Sequence, residues 1–135
     1  MSNLMRWVLI TSLAVAMAAC TETQSPMPPD PEGAVVTFRV ADAEEFKVRL
    51  TDPADIEIAR KLLAGEDAPS VPNGVVVRGD PDVNTGYTWH IDPETFEFAD
   101  ATIELCDGLP SHVEQGSITS DRYCPWSAQV IAIQP

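Results

Sequence analysis

Asp80, Asp82 and Asn84 alternate along GDPDVNTGYTWHIDPET, the stretch from Gly79 to Thr95. Alternating carboxylate and amide oxygens are hard ligands, at the offsets that open an EF-hand-type calcium loop. The pattern then breaks. Thr85 stands where such a loop needs glycine, and Ile91 where it needs a bidentate glutamate. Pro81 and Gly86 in the same stretch are equally the residues of an ordinary surface turn. Asp80, Asp82 and Asn84 are therefore weak metal candidates, and the sequence names no cofactor.

His90 is the other residue in this stretch that could do chemistry. It sits in the alternating run YTWHI, so it faces opposite to Trp89 and Ile91. A general acid or base needs convergent partners, and Asp92, Glu104 and Asp107 are the nearby carboxylates. The simpler role is a histidine hydrogen-bonded within a sheet. His112 lies in a short polar segment and is expected at the surface. The chain contains no GxSxG elbow, phosphate loop, HExxH pair or dinucleotide fingerprint, so no residue is assigned as catalytic. Trp89 and Trp126 could anchor a partner or fill a small core. Trp89, His90, Asp92, Asp107 and Trp126 together make the candidate ligand or partner surface. Two functional classes follow. The leading one is a non-catalytic binding or structural module for an unknown protein or small ligand. The other is a small hydrolase or metal-dependent enzyme using His90, which requires His90, Asp92 and Glu104 to meet in an open cleft.

The beginning of the chain carries an address. Arg6 precedes the apolar run WVLITSLAVAMAA, Trp7 to Ala19. At about 13 residues this is shorter than the roughly 20 a membrane-spanning helix needs, and it reads as a secretory signal peptide over residues 1–19. MAAC, Met17 to Cys20, resembles the lipobox of bacterial lipoproteins, which implies diacylation at Cys20. Cleavage after Ala18 is the competing possibility. A triacylated cysteine holds a chain at a membrane without a spanning helix. Thr21 is not the aspartate of inner-membrane retention, so the resemblance implies the outer membrane of a cell envelope that has one.

The chain has three cysteines. With Cys20 lipidated, Cys106 and Cys124 remain as a pair. An exported location favours a disulfide between them, closing a loop of about 19 residues and adding roughly 3 kcal/mol of stability in the chain-entropy model. Neither has a CxxC or CxxH partner of a zinc site. Beyond Ala19 the chain carries 7 basic and 21 acidic side chains, a formal charge of −14. Such a surface repels nucleic acid.

These residues need elements to position them. TETQSPMPPDPEG, Thr21 to Gly33, is proline-rich and aperiodic, so residues 20–33 read as an extended, lipid-anchored tether. Residues 34–135 are enough chain for one domain. AVVTFRV and EFKVRL alternate apolar and polar around ADAE, which predicts a β-hairpin. In TDPADIEIARKLLAG, Asp52 caps a helix, Pro53 suits its first turn and Gly65 its stop. Ile56, Ala59, Leu62 and Leu63 supply its apolar stripe. DAPSVPNG reads as a loop; VVVRG, YTWHI and WSAQVIAI read as strands; LPSHVEQ reads as one helical turn. Phe96/Phe98 and Ile103/Leu105 form two alternating phases whose parity changes near Asp100, predicting a bulge or bend. The fold class is α+β, a mainly antiparallel sheet with one principal helix and one disulfide.

Three segments carry a wider resemblance. GYTWHIDPETFEFADATIELCDGLPSHVE and RYCPWSAQVIAI follow FKVRLTDPADIEIARKLLAG in this order. Together they resemble the small secreted domain of cAMP-inducible-protein-like sequences, with their WxxHLDP, EVCDG and CPWS-type segments. Ile91 replaces leucine, and the stretch from Glu114 to Tyr123 is short. The resemblance implies a secreted, disulfide-linked module and no reaction. NTGYTW, Asn84 to Trp89, with CPW, Cys124 to Trp126, resembles motifs of chagasin-like cysteine-protease inhibitors. That likeness implies that both motifs stand side by side at one exposed end.

Overall fold

The computed structural model describes residues 33–135. Cys20, the expected signal peptide 1–19 and the expected tether up to residue 32 lie outside the described residues. The described chain is α+β, antiparallel, with one principal helix and one disulfide. Its strands divide between two sheets.

The first sheet has the order β2–β1–β7. β1 (Ala34–Val40) and β2 (Glu44–Leu50) form the hairpin, with Phe38 opposite Phe46. β7 (Ala128–Gln134) closes against β1, with a register shift between Thr37 and Phe38. Alternation puts Val36, Phe38, Val40, Phe46, Val48 and Leu50 on one face, where all are essentially inaccessible. The hairpin turn is tight: Ala41 and Asp42 sit at φ 51° and 53°, and Ala43 N–H donates back to Val40 O.

β3 (Val71–Arg78) is the hub of the second sheet. It pairs antiparallel with β4 (Trp89–Ile91), β5 (Glu97–Ala99) and the two-residue β6 (Arg122–Tyr123). DAPSVPNG is therefore only partly a loop, because Val71 to Gly74 belong to the strand. Pro72 lies opposite Phe98. Gly74 is needed for close approach, since a Cβ there would overlap Ile91 Cγ2. The expected Ile103/Leu105 strand phase does not form. The chain instead makes a 3₁₀ turn at Glu104–Cys106, where Cys124 N–H donates to Cys106 O (2.7 Å).

α1 (Pro53–Leu63) starts as its sequence dictates, with Asp52 Oδ1 accepting from Ala54 N–H (2.8 Å). It stops at Gly65, whose φ is 76°. Ala59 is its fully buried residue and Ile56 packs on the core. Leu63 is 46% exposed, so the apolar stripe is narrower than predicted. α2 (Pro110–Glu114) is one short turn. The core between the sheets is aromatic: Phe46 touches Phe38, Trp89 and Tyr123 at centroid distances of 5.2, 6.1 and 5.2 Å. Rings of this size in edge and offset contact are the main apolar contribution to a domain this small. No helix among the described residues is long and apolar enough to cross a membrane.

Candidate functional site at the disulfide corner

Side chains of the stretch from Gly79 to Thr95 make hydrogen bonds that hold the loop. Asn84 is 1% exposed. Its Oδ1 accepts from Lys47 N–H of β2 (3.0 Å) and its Nδ2 donates to Trp89 O (2.9 Å). The buried amide joins the loop to both sheets. Asp82 faces Arg49, with its two oxygens 3.2 and 3.3 Å from the guanidinium. Hydrogen bonding to Arg49 is the main reason the Asp82 carboxyl titrates below its ordinary range. Asp80 Oδ1 accepts from Asp82 N–H (2.9 Å). The three metal candidates thus serve a backbone edge, a guanidinium and a turn. No group of three or more His, Cys, Asp or Glu side chains could hold a metal among the described residues.

His90 Nδ1 lies 2.6 Å from Asp80 O. A carbonyl only accepts, so Nδ1 carries the proton and the ring closes the same loop. Asp92 Oδ1 accepts from Glu94 N–H (3.0 Å), making a turn. Glu104 belongs to the 3₁₀ turn beside the disulfide. His90 and Asp92 each have a local hydrogen-bonding task, and the clefts of about 440 and 540 Å³ are lined by none of His90, Asp92 and Glu104. Of the inhibitor-like motif NTGYTW, Asn84 and Trp89 are buried, while Thr85, Gly86 and Thr88 are exposed. His112 is half-buried, contrary to expectation, because Leu109 N–H donates to its Nδ1 (3.3 Å) at the start of α2.

Trp89 does not belong to the candidate surface. It is 1% exposed, because strand alternation turns it inward with Ile91. It packs against Tyr87 and, edge-on, Tyr123, each at 5.5 Å. Its Nε1 has no hydrogen-bond acceptor among the described residues.

Trp126 and Asp107 are brought together. The Cys106–Cys124 disulfide joins their two segments, with Cα atoms 5.0 Å apart. Asp107 Oδ1 accepts from both Gly108 N–H and Trp126 N–H, each at 2.9 Å. Trp126 Nε1 donates to Thr102 Oγ1 (2.7 Å), and the Thr102 hydroxyl in turn donates to Cys124 Sγ (3.1 Å). Both N–H groups of Trp126 are therefore held, yet the residue is 45% exposed. In the segment that starts at Thr102, Ile103 is 64% and Leu105 71% exposed. Asp100, Glu104 and Asp107, close to Ile103 and Leu105 in the sequence, are exposed as well. A cleft of about 440 Å³ opens beside Trp126, between Leu62 of α1 and the first residues of β7.

Thr102, Ile103 and Leu105 are the residues that sequence reasoning misses. A strand phase would give Ile103 and Leu105 an inward face. The overlooked signal is their position directly before a disulfide cysteine, where the crosslink rather than strand pairing determines the backbone.

A family model described as the BP-74 N-terminal domain matches residues 32–135. No curated protein and no solved structure matches the chain. The match takes in both sheets, both helices and the disulfide corner, and the chain belongs to the BP-74 N-terminal domain family.

Proposed function

We propose that the protein is an exported lipoprotein, anchored through Cys20, whose α+β domain is a non-catalytic binding module. Trp126, Ile103 and Leu105 are the contact surface, and the partner is a protein. One observation carries this reading. Trp126 is half-exposed while both of its N–H groups are already occupied by Asp107 and Thr102. A large aromatic side chain immobilised before binding loses little further conformational freedom on association, and tryptophans of this kind dominate binding energy at interfaces. Exposed apolar side chains grouped in one place commonly mark interaction sites.

The anchor rests on Met17 to Cys20 and on the cysteine count. With Cys106 bonded to Cys124, Cys20 is the cysteine left for lipid. The disulfide also fits an oxidising compartment. Thr21 points to an outer membrane where one exists. Sizing the mildly extracted protein tests the binding reading. The wild type should elute in an assembly larger than itself. Leu105→Ser combined with Trp126→Ala should release it, and His90→Ala should not. Release by His90→Ala alone would refute the reading. Intact mass of the membrane-extracted protein tests the anchor: a mature chain starting at acylated Cys20 is the expected result.

A further inference from the structure

The cleft of about 440 Å³ beside Trp126 is built from three separate parts of the chain. Leu62 comes from α1, Ser70 from the residue before β3, and Trp126 to Val130 from the disulfide corner and the start of β7. Its volume falls among small-molecule sites, which run from roughly 300 to 1,000 Å³. Leu62 and Val130, both half-buried, give it apolar contact, and Trp126 gives it an aromatic wall. That wall is fixed in place, because Asp107 and Thr102 take up both N–H groups of Trp126. What the residue offers a ligand is the face of its ring.

Polar side chains line the same cleft. Ser127 Oγ accepts from Ala41 N–H (3.1 Å) and keeps its own proton to donate. Ser70 and Gln129 are exposed, and among the described residues their side chains make no hydrogen bond. A few placed hydroxyl and amide groups in an apolar and aromatic cleft are what orient a bound small molecule.

Charge narrows the ligand class. No residue that lines the cleft is ionisable. Arg39 stands opposite Gln129 in the pairing of β1 with β7, but Glu45 holds its guanidinium at 2.6 Å. An anion therefore meets no cation in the lining, and it approaches a domain whose residues 33–135 carry 7 basic and 18 acidic side chains, a net charge of −11. A cation meets no carboxylate there. A sugar ring fits what remains. In a gluco-configured pyranose the hydroxyls lie around the rim and the C–H bonds point out of both faces. Those weakly positive C–H groups suit the negative face of an indole, and hydroxyls both donate and accept, as serine and glutamine do. From these features we infer that the cleft binds a neutral saccharide unit, its ring stacked on Trp126 and its hydroxyls bonded to Ser70, Ser127 and Gln129. This site goes beyond the proposed protein contact at Ile103 and Leu105 and shares only Trp126 with it.

Cellobiose, maltose and N,N′-diacetylchitobiose serve as probes against the full-length mature protein, read by calorimetry and by the indole N–H resonances. At least one of the three should bind, shifting the Trp126 indole resonance and leaving that of the buried Trp89 in place. Trp126→Ala should weaken binding by about tenfold or more. Ser70→Ala combined with Gln129→Ala, two exposed positions, should weaken it by about fivefold or more. Leu105→Ser should leave it unchanged. Cellobiouronic acid, the carboxylated analogue of cellobiose, should bind more weakly than cellobiose itself. No binding by any of the three sugars up to about 10 mM would overturn the inference. So would binding that persists undiminished in Trp126→Ala or in the Ser70 and Gln129 double variant. Loss of sugar binding in Leu105→Ser would overturn it too, by placing the sugar on the Ile103 and Leu105 surface instead of in the cleft.

Discussion

Tyr123 and Asn84 are two polar side chains that the core cannot lose without consequence. Tyr123 is fully buried and its hydroxyl donates to Gly108 O (2.8 Å). Burial first, and then the charge of Asp107, raises its pKa above the ordinary phenol value. The folded state therefore retains a proton that the unfolded chain releases above about pH 10, and stability falls as pH rises through that region. Tyr123→Phe should lower stability at neutral pH by about 1 kcal/mol and flatten the alkaline fall, as measured by urea midpoints between neutral and alkaline pH. Asn84→Ala strands Lys47 N–H and Trp89 O, and should cost about 1–3 kcal/mol by the same measurement. Because Asn84 is turned inward and Asp82 holds Arg49, calcium at about 1 mM, the range of weak extracellular sites, should leave the melting temperature unchanged. A rise would contradict that arrangement. At this scale the sequence is half legible. Alternation around His90 correctly implies that His90 and Trp89 face opposite ways. It cannot say which of Trp89 and Trp126 is inside, because that depends on which strand face meets the other sheet.

Helix α1 and the hairpin are readable because their signals are local. Asp52 caps, Pro53 starts and Gly65 stops one element, and period-two alternation builds the other. The elements that escape are those defined by distant partners. Val71 to Gly74 become strand by pairing with β5 and β6, despite Pro72 and Gly74. The turn at Glu104–Cys106 depends on Cys124. Two consequences follow for mutation and redox chemistry. Gly74→Ala should cost about 1–3 kcal/mol, since the added methyl meets Ile91 in a packed core. Reducing the disulfide, or Cys106→Ser with Cys124→Ser, should cost about 3 kcal/mol by the entropy of the opened loop. It should also free Trp126 from the Thr102 contact. Denaturant midpoints with and without reductant measure the first effect, and fluorescence anisotropy, compared with that of Trp126→Phe, measures the second.

The described domain is acidic, and the contact surface proposed for it lies at the disulfide corner. Charge, cysteine pairing and the lipobox-like Met17 to Cys20 are all available from composition and spacing. The proposed contact surface is not, because Thr102, Asp107 and Trp126 meet only after the chain has folded across the disulfide. The central claim is that this corner, rather than the His90 loop, is where the protein meets its partner. Photo-crosslinking in intact cells tests it most directly, with a photoreactive side chain placed in turn at Leu105, His90 and Arg39. The account predicts one discrete protein adduct from Leu105, abolished by Trp126→Ala, and none from the other two positions. An adduct from His90 with none from Leu105 would contradict it.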